Sequence, residues 1–340
     1  MKPVSLPRYI TWRIALMLPT LFLVSVIAFG IIQLPPGDYL TTVAANAAQG
    51  GERIDAGSLA TLRQRYGLGE SMVVQYWRWI HGILTRGDFG LSFEWNRPVW
   101  DLLSSRIPLT VLVAAITLVV SWAVSIPIGL YSAVRQYSVG DYVATTVGFL
   151  GLATPNFLLA LILIWLGVRF FGQSVGGLFS AEYVDAAWSV GKFADLLQHL
   201  WIPVFVLGTA GIAALIRILR ANLLDELQKP YVVAARARGM SERRLIVRYP
   251  LRVALNPFVS TIGWTLPALV SGEVVVASIL SLPTVGPLLL SSLRGQDMYL
   301  AGSIVFILSL LTVIGTLIYD LLLAWLDPRI RRSLGRGGTR

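Results

Sequence analysis

Residues 14–34 read IALMLPTLFLVSVIAFGIIQL, a stretch with no charged side chain. At about 1.5 Å per residue, an α-helix of this length crosses a hydrocarbon core of about 30 Å. It is too long for the apolar core of a signal peptide. The small-residue stretch Ala45-Asn46-Ala47 resembles a peptidase site, but it lies well beyond the apolar run and past Pro35-Pro36-Gly37-Asp38. The run therefore reads as a retained membrane span. Five more predominantly apolar segments follow, approximately Pro108–Tyr131, Val143–Phe171, Leu200–Leu219, Phe258–Leu282 and Ala301–Trp325. The expected fold is an all-α membrane protein with six transmembrane helices. Pro127, Pro155, Pro203 and Pro267 sit in or at these spans, where a proline can kink a helix and shape a cavity.

Composition agrees with this reading. The 340 residues are 55% hydrophobic and 14% charged, against about 25% charged in a soluble domain. The net charge of +10 could suggest nucleic acid, but the basic residues cluster at membrane edges, so no nucleic-acid partner is expected. The N-terminus, the second and fourth loops with their flanks and the C-terminus hold 18 basic and 5 acidic residues. The first, third and fifth loops hold 9 basic and 11 acidic residues. Positive loops stay on the cytoplasmic side, so both termini are expected there.

The chain then divides into a cytoplasmic N-terminus with the first span (1–34), a periplasmic loop or subdomain (35–107), a transmembrane core (108–330) and a glycine-containing cytoplasmic tail (331–340). The long loop carries Trp77, Trp79, Trp95 and Trp100, read here chiefly as an interfacial belt.

The fourth loop, within 220–257, has its own pattern. Pro230 can open a helix through Tyr231, Ala234, Ala235, Arg236 and Arg238, with Gly239 as its C-terminal stop. Ser241 can cap a second helix that runs through Leu245 and Ile246 to Pro250. Small alanines beside a glycine suit close approach by another protein's groove. Nine basic residues in and beside this loop suit a helix lying on anionic membrane lipid equally well.

These residues resemble the cytoplasmic "EAA" signature of the permease subunits of ABC importers. Ala234, Ala235, Gly239 and Leu251 match it, while Val233, Tyr249 and Arg252 replace its Glu, Ile and final Pro. The version Tyr-x-x-x-Ala-Arg-Ala-Arg-Gly at 231–239 is similar to the dipeptide, oligopeptide and nickel permease branch. Further landmarks of that branch recur in order along nearly the whole chain: Pro36-Gly37-Asp38, Tyr66-Gly67-Leu68, Gly87-Asp88-Phe89-Gly90-Leu91-Ser92, Arg106-Ile107-Pro108-Leu109-Thr110, Thr154-Pro155 and Leu326-Asp327-Pro328-Arg329-Ile330.

The resemblance implies a bacterial inner-membrane importer subunit whose 231–249 segment holds the coupling helix. Implied partners are a second homologous permease, two ABC ATPase subunits and a periplasmic substrate-binding protein. ATP and Mg would be used by the ATPases, and this chain would bind no cofactor. A small peptide is the first expectation for cargo. An oligosaccharide is the alternative, because Leu282-Pro283-Thr284-Val285-Gly286-Pro287 and Gln296-Asp297-Met298 are similar to a subgroup associated with sugars.

Charges within spans are the remaining candidates. Glu273, beside Gly272, would cost at least about 2.5–3.5 kcal/mol if ionised at mid-bilayer. It reads either as a residue of the translocation path or as a hydrogen-bonded helix contact. Asp320, Asp327 and Arg329 read as structural charges near the cytoplasmic end of the last span. His81 and His199, placed in outward loops, have no metal-ligand company. With no cysteine, no phosphate loop and no nucleophile motif, the chain is not expected to be an enzyme. A membrane-embedded enzyme built on Glu273 and Asp320, or a proton-coupled transporter using Glu273 as a relay, would be the rival classes.

Overall fold

The chain lacks water to satisfy its backbone over most of its apolar stretches, and the structure answers with helices. The computed structural model describes residues 6–33, 39–40, 69–171, 176–260, 268 and 274–326. The first apolar stretch forms α1 (Leu6–Ile32). After it come α2 (Met72–Arg86) and a two-stranded antiparallel hairpin of β1 (Leu91–Ser92) and β2 (Arg97–Pro98). The rest is helical: α3 (Val99–Val134), α4 (Val139–Ala153), α5 (Asn156–Leu166) running into a π turn at Gly167–Phe171, and α6 (Val190–Leu227). Then follow α7 (Pro230–Ala237), α8 (Glu242–Arg248), α9 (Pro250–Ser260), α10 (Val274–Ile279), α11 (Val285–Arg294) and α12 (Met298–Leu326).

Among the described residues, four helices are long and apolar enough to cross a membrane: Thr11–Ile32, Val99–Val134, Val190–Leu227 and Met298–Leu321. A fifth candidate is the α4–α5 pair, bent by 100°. Of the expected span Phe258–Leu282, residues 261–267 and 269–273 lie outside the described residues.

Three sequence expectations shift. The third span is not one rod, because Pro155 has no N–H and the residue before a proline avoids the helical region. Thr154 is accordingly extended (φ −86°, ψ 119°), and its hydroxyl donates to the Leu150 carbonyl at 2.8 Å. The second span begins at Val99, nine residues before Pro108, with Asp101 in the first turn where a carboxylate suits the helix dipole. The fourth span begins at Val190, so His199 lies inside a helix, half-buried, with its Nδ1 2.8 Å from the Asp195 carbonyl oxygen. Pro203 stays within that continuous helix. At about 1.5 Å per residue α3 and α6 measure about 54 and 57 Å, so their ends lie beyond the hydrocarbon.

The chain forms two compact units. One comprises Ile10–Thr110 and Pro283–Val313. Its core joins Phe29 of α1, Trp79 and Ile80 of α2, and Tyr299 and Phe306 of α12. Phe29 stacks on Trp79 with ring centroids 5.5 Å apart. The fully buried Asp297 ties the hairpin to α12: it accepts from Ser92 Oγ (2.5 Å), the Glu94 amide (3.2 Å) and the Leu300 amide (3.1 Å). The last of these contacts caps the helix.

The other unit comprises Met1–Tyr9, Val111–Leu282 and Ile314–Arg340. Here α4, α5 and α9 all pack on α6, which supplies the buried Leu215, Leu219 and Leu223. Close approach of α3 to α6 needs glycine at 129, where a Cβ would come within 3.2 Å of Leu219 and 3.3 Å of the Ile216 carbonyl. One ion pair bridges α4 and α6. Arg220 donates through Nε and an Nη to the two oxygens of Asp141, at 3.0 and 2.9 Å. Asp141 also accepts from the Tyr137 amide at 2.9 Å.

Asp141 is buried and Arg220 partly exposed, so breaking the pair leaves a charge that water compensates in part. Asp141→Ala is expected to destabilise the protein by about 1–3 kcal/mol, and Asp141→Ala with Arg220→Met to recover part of that loss. Unfolding midpoints in detergent check both.

Candidate functional site

The site is the hydrophilic corner between α6 and α9. Lys229 occupies the N-cap of α7 and Pro230 its first turn, where a missing N–H costs nothing. The helix ends at Gly239, whose φ of +78° is the left-handed conformation that glycine tolerates best. Two reciprocal bonds close this end: the Gly239 amide donates to Arg236 O (3.0 Å) and the Met240 amide to Ala235 O (3.4 Å). This is a Schellman stop. Ser241 takes the extended N-cap conformation before α8 and accepts the Leu245 amide on its backbone oxygen at 2.9 Å, but its side chain makes no capping bond.

A small core holds the two helices together. Val232 and Leu245 are fully buried and Ile246 nearly so, packed with Ala235, Met240, Leu130 of α3, Leu227 of α6 and Leu251. The corner is thus clamped to α3 and α6 through apolar contacts. Polar ties add to it. Arg236 pairs with Glu242 across the turn, its Nη donating to Oε2 at 3.2 Å, and Tyr231 donates its hydroxyl to Glu226. The guanidinium holds the Glu242 carboxyl below its ordinary value. Burial, then the bond to Glu226, push the Tyr231 phenol up to about 12, so it stays a hydrogen-bond donor throughout the physiological range.

What the corner leaves outside is a compact mixed surface. Tyr231, Val233, Ala234, Ala237, Gly239 and Arg238 are exposed, as are Ser241, Arg243, Arg244 and Arg248. Ala235 is half-buried. The structure therefore brings together all seven residues expected in the elbow, Tyr231, Ala234, Ala235, Arg236, Arg238, Gly239 and Ser241. Such a face offers small side chains and cations on a stiff support, with no nucleophile or acid–base pair.

The other candidates do not join it. Gly272, Glu273, Asp327 and Arg329 lie outside the described residues. Asp320 is buried in α12. Among the described residues no group of three or more His, Asp or Glu could hold a metal ion. An apolar cavity of about 580 Å³ lies between α3, α4 and α6, lined by Pro127, Tyr131, Val147, Phe205 and Ile212 among others. It suits hydrocarbon better than a polar cargo. Sequence reasoning missed the Asp141–Arg220 tie and the Tyr231–Glu226 bond. The signal for the first was an aspartate in an otherwise uncharged helix, which calls for a cation.

Several apolar helices long enough to cross a membrane and a basic two-helix corner are the features of a multi-pass membrane protein. Comparison with known proteins gives the family. Residues 125–332 match the model of the binding-protein-dependent transport system inner membrane component, and residues 6–114 match that of the N-terminal part of such membrane components. The chain is 35% identical over 324 residues to the oligopeptide transport system permease protein AppB of Bacillus subtilis, covering 95% of this chain and 98% of AppB. It is 31% identical over 330 residues to the nickel import system permease protein NikB of Staphylococcus aureus strain MRSA252, covering 96% and 93%. The chain belongs to the binding-protein-dependent transport system inner membrane component family and is a permease subunit of an ABC importer in the inner membrane. It is not an enzyme, and ATP hydrolysis lies in separate ATPase subunits.

The small core makes the stiffness of the corner measurable. Leu245→Ala is expected to cost about 2–4 kcal/mol locally, and Gly239→Val to strain the left-handed position by at least about 1–2 kcal/mol. Hydrogen exchange of the amides from 232 to 249 should speed up at least tenfold in both variants while α6 above Leu219 stays protected.

Proposed function

We propose that this chain forms half of a translocation path for a small peptide, with a second homologous permease forming the other half. A periplasmic substrate-binding protein delivers the cargo to the side bearing the long first loop, and two ABC ATPases work from the cytoplasmic side with ATP and Mg. Both termini and the α7–α8 corner face the cytoplasm in this reading, as the distribution of basic residues favours. The observation that carries the proposal is the corner itself: a closed core clamped to α3 and α6 beneath an exposed small-residue and arginine face.

A stiff corner can transmit movement. When the two ATPases close on ATP, a docked α7–α8 is displaced as one body, and its clamp to α3 and α6 carries that displacement into the spans. A loose loop would absorb it. The exposed alanines allow a partner helix or groove to come close, and the arginines beside them match acidic rims.

The peptide assignment is supported by the likeness to a permease named for oligopeptide transport over nearly the whole of both chains. Nickel is the second reading, because several similar relatives are named nickel import permeases. This chain has no cysteine and two histidines, so it offers little for a bare nickel ion and leaves any chelation to the delivering protein. The oligosaccharide alternative finds no counterpart among these relatives.

The proposal is tested with the complete transporter in proteoliposomes. Binding-protein-dependent, ATP-driven uptake of labelled tri- to pentapeptides is expected, with radioactive Ni²⁺ uptake at background. Val233→Asp with Arg238→Glu alters two exposed residues of the corner and should leave the permease folded. It is expected to reduce ATPase co-purification and peptide uptake at least tenfold. Full retention of both would remove the corner as the docking site, and saturable nickel uptake without peptide uptake would move the cargo to the second reading.

A further inference from the structure

The amphipathic helix α2 has more apolar surface than the protein covers. Plotted at 100° per residue, its Tyr76, Trp79, Ile80 and Ile83 form the side turned to the core, where they pack on Phe29 and Phe306. Val73, Trp77 and Leu84 continue the same apolar sector past Ile80, and they are 76%, 65% and 74% exposed. Arg78, His81 and Thr85 lie beyond them on the polar side, and Arg78 pairs with Glu70 at 3.2 Å. An exposed aromatic flanked by two exposed aliphatics on one helix face is not what water selects.

The depth of α2 along α1 identifies what covers this flank. The Tyr76 hydroxyl lies 2.8 Å from Ser25 Oγ, and Trp79 stacks on Phe29. On the other side the Trp79 indole N–H donates to Ser303 of α12 at 3.3 Å. Ser25 is seven residues before the end of α1 at Ile32, about 10 Å along the axis. The span Thr11–Ile32 has 22 residues, about 33 Å, barely more than the hydrocarbon thickness of about 30 Å. The remaining turn of α1, Leu6–Ile10, lies at the opposite end, so little of the helix projects at the Ile32 end, and a helix tied to Ser25 and Phe29 sits within the outermost layer of one leaflet. The α1 side chains Leu23, Val26, Ile27 and Ile31 are also exposed at this level, so the apolar surface of the flank lies at the same height as that of the span.

We infer that α2 is an interfacial helix whose Val73–Trp77–Leu84 flank lies in the headgroup–acyl boundary of the leaflet at the Ile32 end of α1, with His81 and Thr85 turned to water. Such helices bury their apolar face about 5–10 Å below the headgroups, the depth that the Ser25 contact sets. Tryptophan is suited to this boundary, with an apolar ring and a polar N–H. The anchor would hold the adjoining hairpin at a fixed height above the membrane. The inference rests on α1 being a membrane span; the orientation proposed above decides only that the leaflet is the outer one.

The chain has no cysteine, so single nitroxide labels can be placed on it without other changes to this subunit and assembled with cysteine-free partner subunits into the full transporter. Val73→Cys, Trp77→Cys and Leu84→Cys, with His81→Cys and Thr85→Cys on the polar side, are labelled in nanodiscs of phosphatidylethanolamine and phosphatidylglycerol. Collision rates with oxygen and with a water-soluble nickel chelate then report depth. The three flank labels are expected to meet oxygen freely and the chelate at least fivefold less than the labels at 81 and 85. Equal access of all five to the chelate overturns the inference, and so does shielding of the flank from both reagents, which would mean a protein cover. As a second readout, acyl-chain-brominated lipid should quench wild-type fluorescence more than that of Trp77→Phe; equal quenching would contradict the placement. A functional transporter with a water-exposed flank would overturn this inference alone.

Discussion

The bilayer denies the backbone any partner except itself, and this constraint shapes the long apolar helices on which the other elements hang. Apolar stretches become helices because only a helix satisfies its own amides and carbonyls. Where a helix breaks inside such a stretch, the break is chemically provided for: at Thr154–Pro155 one amide is absent and the Thr154 hydroxyl bonds back to Leu150. Charges at the ends of the apolar helices are partnered too: Asp141, in the first turn of α4, and Arg220 of α6 form a bidentate pair that also receives the Tyr137 amide.

Outside the hydrocarbon the constraint relaxes, and there the sequence spends its special residues. Pro230, Gly239 and Ser241 bend the chain twice within a dozen residues, which two helices inside a membrane could not do without orphaned backbone groups. The corner compensates for its short helices with Val232, Leu245 and Ile246, which fasten it to α3 and α6. Its outer face is left with alanines and arginines. Stiffness beneath and adhesion above are the properties a coupling element needs, and neither needs chemistry of its own.

Much of this was legible in the sequence, for identifiable reasons. Pro at a helix start and Gly at a helix end act locally, so the limits of α7 and α8 could be read to within two residues. The apolar runs located the spans α1, α3, α6 and α12, but not their ends, because α3 and α6 continue as helices into water where hydropathy gives no signal. Pro155 marked a kink without giving its size; a 100° bend depends on what α4 and α5 each pack against. Trp77 and Trp79 looked alike in the sequence, and only packing separates the buried ring from the exposed one. The partner of Asp141 was beyond reach because Arg220 lies 79 residues further along the chain, whereas Tyr231 meets Glu226 locally, across the turn between α6 and α7. The motif that resembled a sugar-associated subgroup, around Gln296-Asp297-Met298, contains the buried Asp297 that caps α12, which is a structural duty independent of cargo.

The central claim is that α7–α8 is where this permease receives the motion of its ATPase. A single cysteine in place of Ala237, on the exposed face of the otherwise cysteine-free chain, allows direct crosslinking in inside-out vesicles holding the whole transporter. The account predicts a defined adduct between position 237 and the ATPase subunit, whose yield changes when nucleotide is added. An unlinked cysteine that remains freely reactive to a soluble maleimide in the assembled complex would contradict it.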